Sequence, residues 1–308
     1  MNLIHLKYAV EVAESGSIHK AADNLLVAPS NLSRTIKELE NDLGITIFER
    51  TSKGMVLTAE GVEFIRRAGT VLEQISDIEN MYMNSTKAPV RFSASAPRLS
   101  YVCEAFRTII ECTKDVPSKL YFKETDSIRA LENLIGCSCD IAIVRVEKRH
   151  SKYFYEFTER KGLVSEIISE YRYDAVAGKD SRIAELDTVT YDDLADLSEI
   201  TFSDPYVPLS DVIIEMETTK CVDHHILVSD SMSAYNILTA DPECFMWMCP
   251  ISERVLDRFG LVRKKCAEHP GSYNDILIRR NNYMFSELDL KFIEEVRKSA
   301  AECGIKVK

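Results

Sequence analysis

Ser30, Asn31, Ser33, Arg34 and Lys37 crowd into one short stretch of the chain. The first three carry short polar groups of the kind that reach base edges, and the two cations suit phosphate oxygens. Arg50 and Lys53 follow, the first just before and the second within a turn at Thr51-Ser52-Lys53-Gly54. A second set of chemistry-bearing residues lies further on: Ser95, Pro97, Arg98 and Ser100, then Thr125 and Ser127, then Phe202, Ser203 and Ser231. Each group sits where an apolar strand pattern gives way to a helical one. Helix N-termini with free N–H groups at such corners, together with Arg98, suit a small anion, although Asp126 and Asp230 oppose it. The plainer alternative is that these serines and threonines merely cap helices.

The elements that position the first set are legible from periodicity. Leu3, Leu6, Val10 and Ala13 mark a first helix ending at Ser15-Gly16. Ile18, Ala21, Ala22 and Leu25 mark a second, with Ser17 placed to cap it. Leu32, Ile36, Leu39 and Leu43 give a third helix one apolar stripe, leaving Ser30, Arg34, Lys37, Glu38 and Asn41 on the opposite face. Alanines at 21 and 22 allow close helix approach, as a helix-turn-helix needs. Ile47 to Arg50 and Met55 to Leu57 read as a two-stranded wing. Spacing alone leaves open a reader of the DNA major groove and a small helical pair with a solvated polar face.

Thr58 can cap a long helix over about 59–84, with Ile65, Ala68, Leu72, Ile75, Ile78 and Tyr82 at coiled-coil-like spacing. At 1.5 Å per residue it spans ~38 Å, more than a module this small can cover, so a second copy is the expected partner. A polar linker at 84–89 marks a boundary. Beyond it, Val90–Ala94, Leu120–Phe122 and Asp140–Val144 read as strands around helices at Leu99–Cys112 and Ile128–Ile135. That alternation predicts a mainly parallel sheet. A Tyr- and charge-rich loop is expected at 148–161, and an extended run over Leu163–Ala177. A second α/β set follows, including Ile200–Phe202, Val212–Met216, His225–Val228, Met232–Thr239, Cys244–Met248 and Glu253–Phe259. Ile276–Ile278 and a helix over Ser286–Cys303 close the chain.

Composition narrows the function classes. With 308 residues, 45% hydrophobic, the chain can hold two or three compact domains. It has no basic-apolar leader pattern and no run of transmembrane length, so a cytoplasmic location without membrane contact is expected. Nine cysteines, scattered and odd in number, suit a reducing compartment. Cys137-Ser-Cys139 has no second pair to complete a zinc set, so neither metal nor cofactor is expected. None of the common catalytic motifs is present, which argues against an enzyme. The net charge is −11, and residues 1–58 hold six basic and seven acidic side chains. Phosphate contact would therefore rest on a few placed groups, with dimerisation supplying much of the affinity.

The residues of the first module go beyond spacing. Ala21-Ala22, Leu25, Val27, Leu32-Ser33-Arg34-x-Ile36, Leu39-Glu40, Leu43-Gly44, Ile47-Phe48-Glu49-Arg50 and Leu57-Thr58 occur in order without a gap. This stretch closely resembles the winged helix-turn-helix of LysR-type transcriptional regulators. It departs from them at Ala28-Pro29-Ser30, where the family usually has Ser-Gln-Pro, so the base-contacting Gln is absent at 29. The resemblance implies an α+β multidomain chain with three parts. A winged helix-turn-helix covers 1–58, a dimerising linker helix 59–88, and a two-lobed effector-binding domain, like periplasmic binding proteins, 89–308. Lobe I would take about 90–166 and 267–308, lobe II about 167–266, with crossings near Glu166–Tyr171 and Leu261–Cys266. Implied partners are double-stranded DNA, a small-molecule effector that the helix N-termini and Arg98 would favour as an anion, a homodimer or dimer of dimers, and RNA polymerase. Two alternatives remain in view. One is a redox-responsive regulator of the same architecture, switched by cysteines. The other is an α/β enzyme or binding protein with an appended DNA-binding module.

Overall fold

The computed structural model describes residues 1–51, 54–83, 89–202, 222–269 and 271–308, with backbone alone at 77 and 80–83. Lys53, Ser203, Cys221, the Val212–Met216 segment, the linker at 84–88 and the Tyr82 side chain lie outside the described residues. The chain divides into two compact units, Met1–Ala88 and Pro89–Lys308.

In the first unit, α1 (Leu3–Ser15), α2 (Ile18–Asn24) and α3 (Pro29–Leu43) enclose a core of Ala9, Val12, Ala21, Ala22, Leu32, Ile36 and Leu39. Ala21 and Ala22 are fully buried, so only small side chains let these helices meet. Ser17 caps α2 through the Lys20 N–H at 3.4 Å. Pro29 opens α3 at a first-turn position, where its missing N–H costs nothing. Between them Leu26 takes the left-handed conformation (φ 55°), and the Val27 N–H reaches back to the Ala22 carbonyl at 3.0 Å. That closes α2 with a Schellman-type turn at a position that glycine usually fills. The wing is β1 (Phe48–Thr51) paired antiparallel with β2 (Gly54–Leu57). The long helix α4 (Ala59–Met83) follows and packs against α1.

The second unit has two lobes. Lobe I contains β3 (Val90–Ala96), α5 (Ser100–Thr113), β4 (Ser118–Glu124), α6 (Ser127–Ile135) and β5 (Ile141–Glu147). It continues through α7 (Ser151–Arg160) into β6 (Leu163–Arg172). Lobe II follows with β7 (Asp174–Gly178), β8 (Thr188–Val189), α8 (Tyr191–Leu194), β9 (Ser198–Phe202) and β10 (His224–Val228). Then come α9 (Ser231–Ala240), β11 (Cys244–Met248), α10 (Glu253–Phe259) and β12 (Leu261–Cys266). The chain returns to lobe I as β13 (Ser272–Arg280), α11 (Glu287–Glu302) and β14 (Lys306–Val307).

Each lobe is built on a six-stranded sheet, ordered β14-β6-β13-β5-β3-β4 in lobe I and β10-β9-β11-β7-β12-β8 in lobe II. The mainly parallel expectation holds for β3 with β4 and β5, and for β9 with β10 and β11. It fails in the middle of both sheets, where β13 runs antiparallel to β5 and β6, and β7 antiparallel to β11 and β12. The reason is topological: the chain crosses out of lobe I in one direction and returns in the other.

Two further expectations are corrected. Residues 151–160 form a helix instead of a loop: Ser151, Phe154 and Thr158 face inward at helical spacing, and Phe154 is fully buried. The crossings fall later than expected. β6 stays paired with β13 as far as Arg172, past a bulge at Asp275/Ile276, so the chain leaves lobe I at Tyr173 and returns to it between Cys266 and Ser272.

Candidate DNA-reading face and interlobe site

The α3 face carries what the sequence placed there. Leu32, Ile36 and Leu39 are buried, while Ser30, Asn31, Ser33, Arg34 and Lys37 are all exposed. Arg34 is 74% exposed in its side chain and sits 3.7 Å from Glu38, one turn on. Such an exposed pair contributes only ~0.3–0.5 kcal/mol, so little holds the guanidinium away from a phosphate.

The wing is tied to the end of that helix. Glu40 on α3 accepts the Ile47 and Phe48 N–H groups at 2.7 and 3.1 Å. The Met55 N–H donates to the Gly16 carbonyl at 2.9 Å, pinning β2 to the α1–α2 corner. Gly54 (φ 118°) has no room there, because a Cβ would stand 2.5 Å from that same carbonyl oxygen. Thr58 donates to the Thr46 carbonyl at 2.5 Å and accepts from the Gly61 N–H at 2.9 Å, which caps α4. Arg50 is exposed on β1.

The interlobe residues sort into three groups. Arg98 donates to the Ser229 carbonyl at 2.6 Å and lies over the Phe202 ring at 4.3 Å, joining lobe I to lobe II. Ser231, at the start of α9, donates to Glu124 across the same gap at 2.9 Å. Arg98 and Phe202 thus meet directly, and Ser231 bridges the lobes through Glu124. Ser100 and Thr125 also sit at the corners, Ser100 with a buried hydroxyl that has no hydrogen-bond partner among the described residues.

Three others have structural roles instead. Ser95 is fully buried, donating to the Lys123 carbonyl at 3.3 Å and accepting from Asn133 at 3.1 Å. Ser127 accepts from the Arg145 N–H at 2.9 Å and donates to the Arg145 carbonyl at 3.3 Å, locking α6 to β5. Pro97 is buried in the bend before α5 and does not enter its first turn. Asp126 turns out to be the cap of α6, accepting the Arg129 N–H at 2.8 Å.

Sequence reading missed the polar cluster under this gap. Arg145 on β5 donates to the hydroxyls of Tyr171 at 2.5 Å and Tyr173 at 3.0 Å, and lies 3.5 Å from Asp275. Asp275 is fully buried and also receives the hydroxyls of Tyr101 and, at 3.0 Å, Tyr171. Burial pushes the Asp275 carboxyl up, and Arg145 and the hydroxyl donors work against that rise. One guanidinium nitrogen, Arg145 Nη2, is buried with no partner among the described residues. An unsatisfied cationic N–H in the interior costs free energy, so a small anion fits the chemistry of this position. The available signal was the charge itself, inside the otherwise apolar run Ile141 to Val146.

Among the described residues no cluster of metal-binding side chains occurs, and no helix is long and apolar enough to cross a membrane.

The comparisons with known proteins agree with this architecture. The family described as bacterial regulatory helix-turn-helix protein, lysR family, matches residues 3–62. The HTH-type transcriptional regulator CrgA of Neisseria meningitidis is 32% identical over 110 residues, 35% of this chain and 37% of CrgA. The HTH-type transcriptional regulator AlsR of Bacillus subtilis is 28% identical over 203 residues, 65% of this chain and 64% of AlsR. These matches thus span less than two thirds of the relatives' own lengths. The structure of full-length CbnR with its target DNA aligns at a TM-score of 0.61 and 18% identity, covering 97% of this chain and 100% of CbnR. At that identity the likeness speaks for the fold: a helix-turn-helix region, a linker helix and a two-lobed α/β domain. Residues 3–62 therefore match the helix-turn-helix of the lysR family, and the chain as a whole has the fold of the LysR family regulator CbnR.

Proposed function

We propose that this chain is a dimeric, sequence-specific regulator of transcription that binds double-stranded DNA and answers to a small anionic effector held between its lobes. The carrying observation is the polar face of α3, which presents Ser30, Asn31, Ser33, Arg34 and Lys37 outward beside a wing that Glu40 anchors. Arg34, Lys37 and Arg50 take phosphates, and the short side chains take base edges.

Dimerisation runs through α4, where Val71 and Ile78 are 39% and 56% exposed. The lobes offer a second contact at the edge strands β4 and β10, whose Tyr121 and Leu227 are 43% and 60% exposed. That supports a dimer of dimers at the promoter, within reach of RNA polymerase. The effector's acidic group meets Arg145 Nη2 and the Ser100 hydroxyl, with Arg98, Thr125 and Phe202 near the mouth.

Redox switching draws less support. Burial pushes the thiols of Cys103, Cys139 and Cys249 up to about 12, and those of Cys244 and Cys303 to about 11. At neutral pH these hold almost no thiolate, the reactive form.

Selection from a random duplex pool tests the reading. It should enrich an inverted repeat with half-sites about one turn, ~34 Å, apart. Arg34→Ala should weaken binding across sequences and lower the salt slope by about one. A pool that enriches nothing above background would sink the proposal.

A further inference from the structure

A cavity of about 630 Å³ lies where the two crossing segments pass, lined by both lobes. Its lining includes Arg172 and Lys306 from lobe I, and Lys265, Thr188 and Thr190 from lobe II. None of Arg98, Ser100, Thr125, Arg145 or Ser231 borders it, so it is distinct from the interlobe site above. Tyr171 and Tyr173 adjoin both: their hydroxyls hold Arg145, and both residues line the cavity.

Charge bookkeeping singles this cavity out in a chain of net charge −11. Its three carboxylates are already engaged. Glu170 holds Lys148 at 2.5 Å and Lys308 at 2.7 Å, Asp174 lies 3.6 Å from Arg263, and Glu268 accepts the Tyr191 N–H at 2.5 Å. Three of its cations make no ion pair within 4 Å among the described residues. Lys265 and Lys306 make no ion pair, and Arg172 donates to the carbonyls of Ala267 and His269. The rim is therefore cationic and carries two threonines, while buried Val189 and Cys266 supply an apolar floor. A volume of this size suits a small metabolite. Separated cations over an apolar floor suit an organic acid with two or more anionic groups.

We propose that this hinge cavity is a second ligand site, which binds a small organic polyanion bearing carboxylate or phosphate groups. Because its cations come from both lobes and its walls from both crossing segments, its affinity depends on the angle between the lobes. A ligand there shifts that angle by as much as its affinity differs between the open and closed forms.

The full-length protein carries its own reporter, since Trp247 is the single tryptophan of the sequence. Its ring lies 4.5 Å from His269 and 6.4 Å from Tyr191, each the sequence neighbour of a lining residue. The experiment is a fluorescence titration at constant ionic strength with citrate and with 3-phosphoglycerate, which separate carboxylate from phosphate recognition, and with sodium chloride as the blank. A saturable change with either acid is expected. The K265A/K306A double variant should weaken it tenfold or more, and Arg98→Ala should leave it within twofold. Both lysines are exposed, so circular dichroism should show the variant folded. No saturable change with either acid, or one that survives in the double variant, overturns the proposal. Neither DNA nor the interlobe effector enters this assay, so its failure leaves the regulator reading untouched.

Discussion

Glu170 sits on β6 with only 15% of its side chain exposed and two lysines against it, Lys148 and Lys308. Those two hydrogen-bonded ammonium groups hold its carboxyl at about 2, against an ordinary 4.5. A folded value below the unfolded one means the contribution to stability is complete above pH 4.5 and is lost as pH falls toward 2. Glu170→Gln should therefore lower the melting temperature at neutral pH and flatten its decline over that acid window. Equal acid sensitivity in the variant and the parent would show that the lysines contribute nothing there. Arg145 makes the contrasting case at this scale: its partners Asp275, Tyr171 and Tyr173 are themselves buried, so salt weakens these contacts less than it does those of Glu170.

At the scale of elements, the junction of wing and linker helix has the tightest tolerance. α4 begins so close to β1 that a Cβ on Gly61 would stand 2.1 Å from the Ile47 carbonyl oxygen, a backbone atom that no rotamer change can move. The same carbonyl accepts the Thr58 N–H at 3.1 Å, so displacing it also loosens the cap of α4. Gly61→Ala should cost about 1–3 kcal/mol locally. Amide exchange across residues 47–62 would then speed up by roughly ten- to a hundredfold. Exchange at the parental rate would show that the junction has slack. The wing's aim depends on this joint, because β1 and β2 pair over only four residues each.

For the whole molecule, the function proposed above asks a chain with an excess of acidic groups to bind a polyanion. The helix-turn-helix module carries no surplus of cations, so on the function proposed above affinity would come from two modules acting on one duplex. The α4 surface is the place to test that. Ile78 is 56% exposed, so replacing it opens no cavity within the protomer. Ile78→Asp should leave each unit folded by circular dichroism and convert the proposed dimer to monomer in light scattering. DNA binding should fall by about a hundredfold or more, in line with the loss of a linked second site. A variant that stays dimeric would move the interface off this helix.

The sequence by itself determined the elements whose evidence is local. The 4-3-4 spacing of Leu32, Ile36, Leu39 and Leu43 shows which face of α3 is buried, and so which residues face outward. Ser17 and Thr58 were legible as caps because a cap bonds within three residues of itself. The α7 helix was hidden by its Tyr, Lys and Glu content, since its inward face is marked by Ser151 and Thr158 as much as by Phe154. Tertiary structure alone decided which hydroxyls remain free. Ser95 and Ser100 look alike in the sequence, yet Asn133, far along the chain, satisfies one and nothing described satisfies the other. Arg145 and Asp275 could not be joined by spacing either, because their pairing exists only once β13 returns beside β5. Periodicity records burial along one element, whereas hydrogen-bond satisfaction depends on what distant strands bring to it.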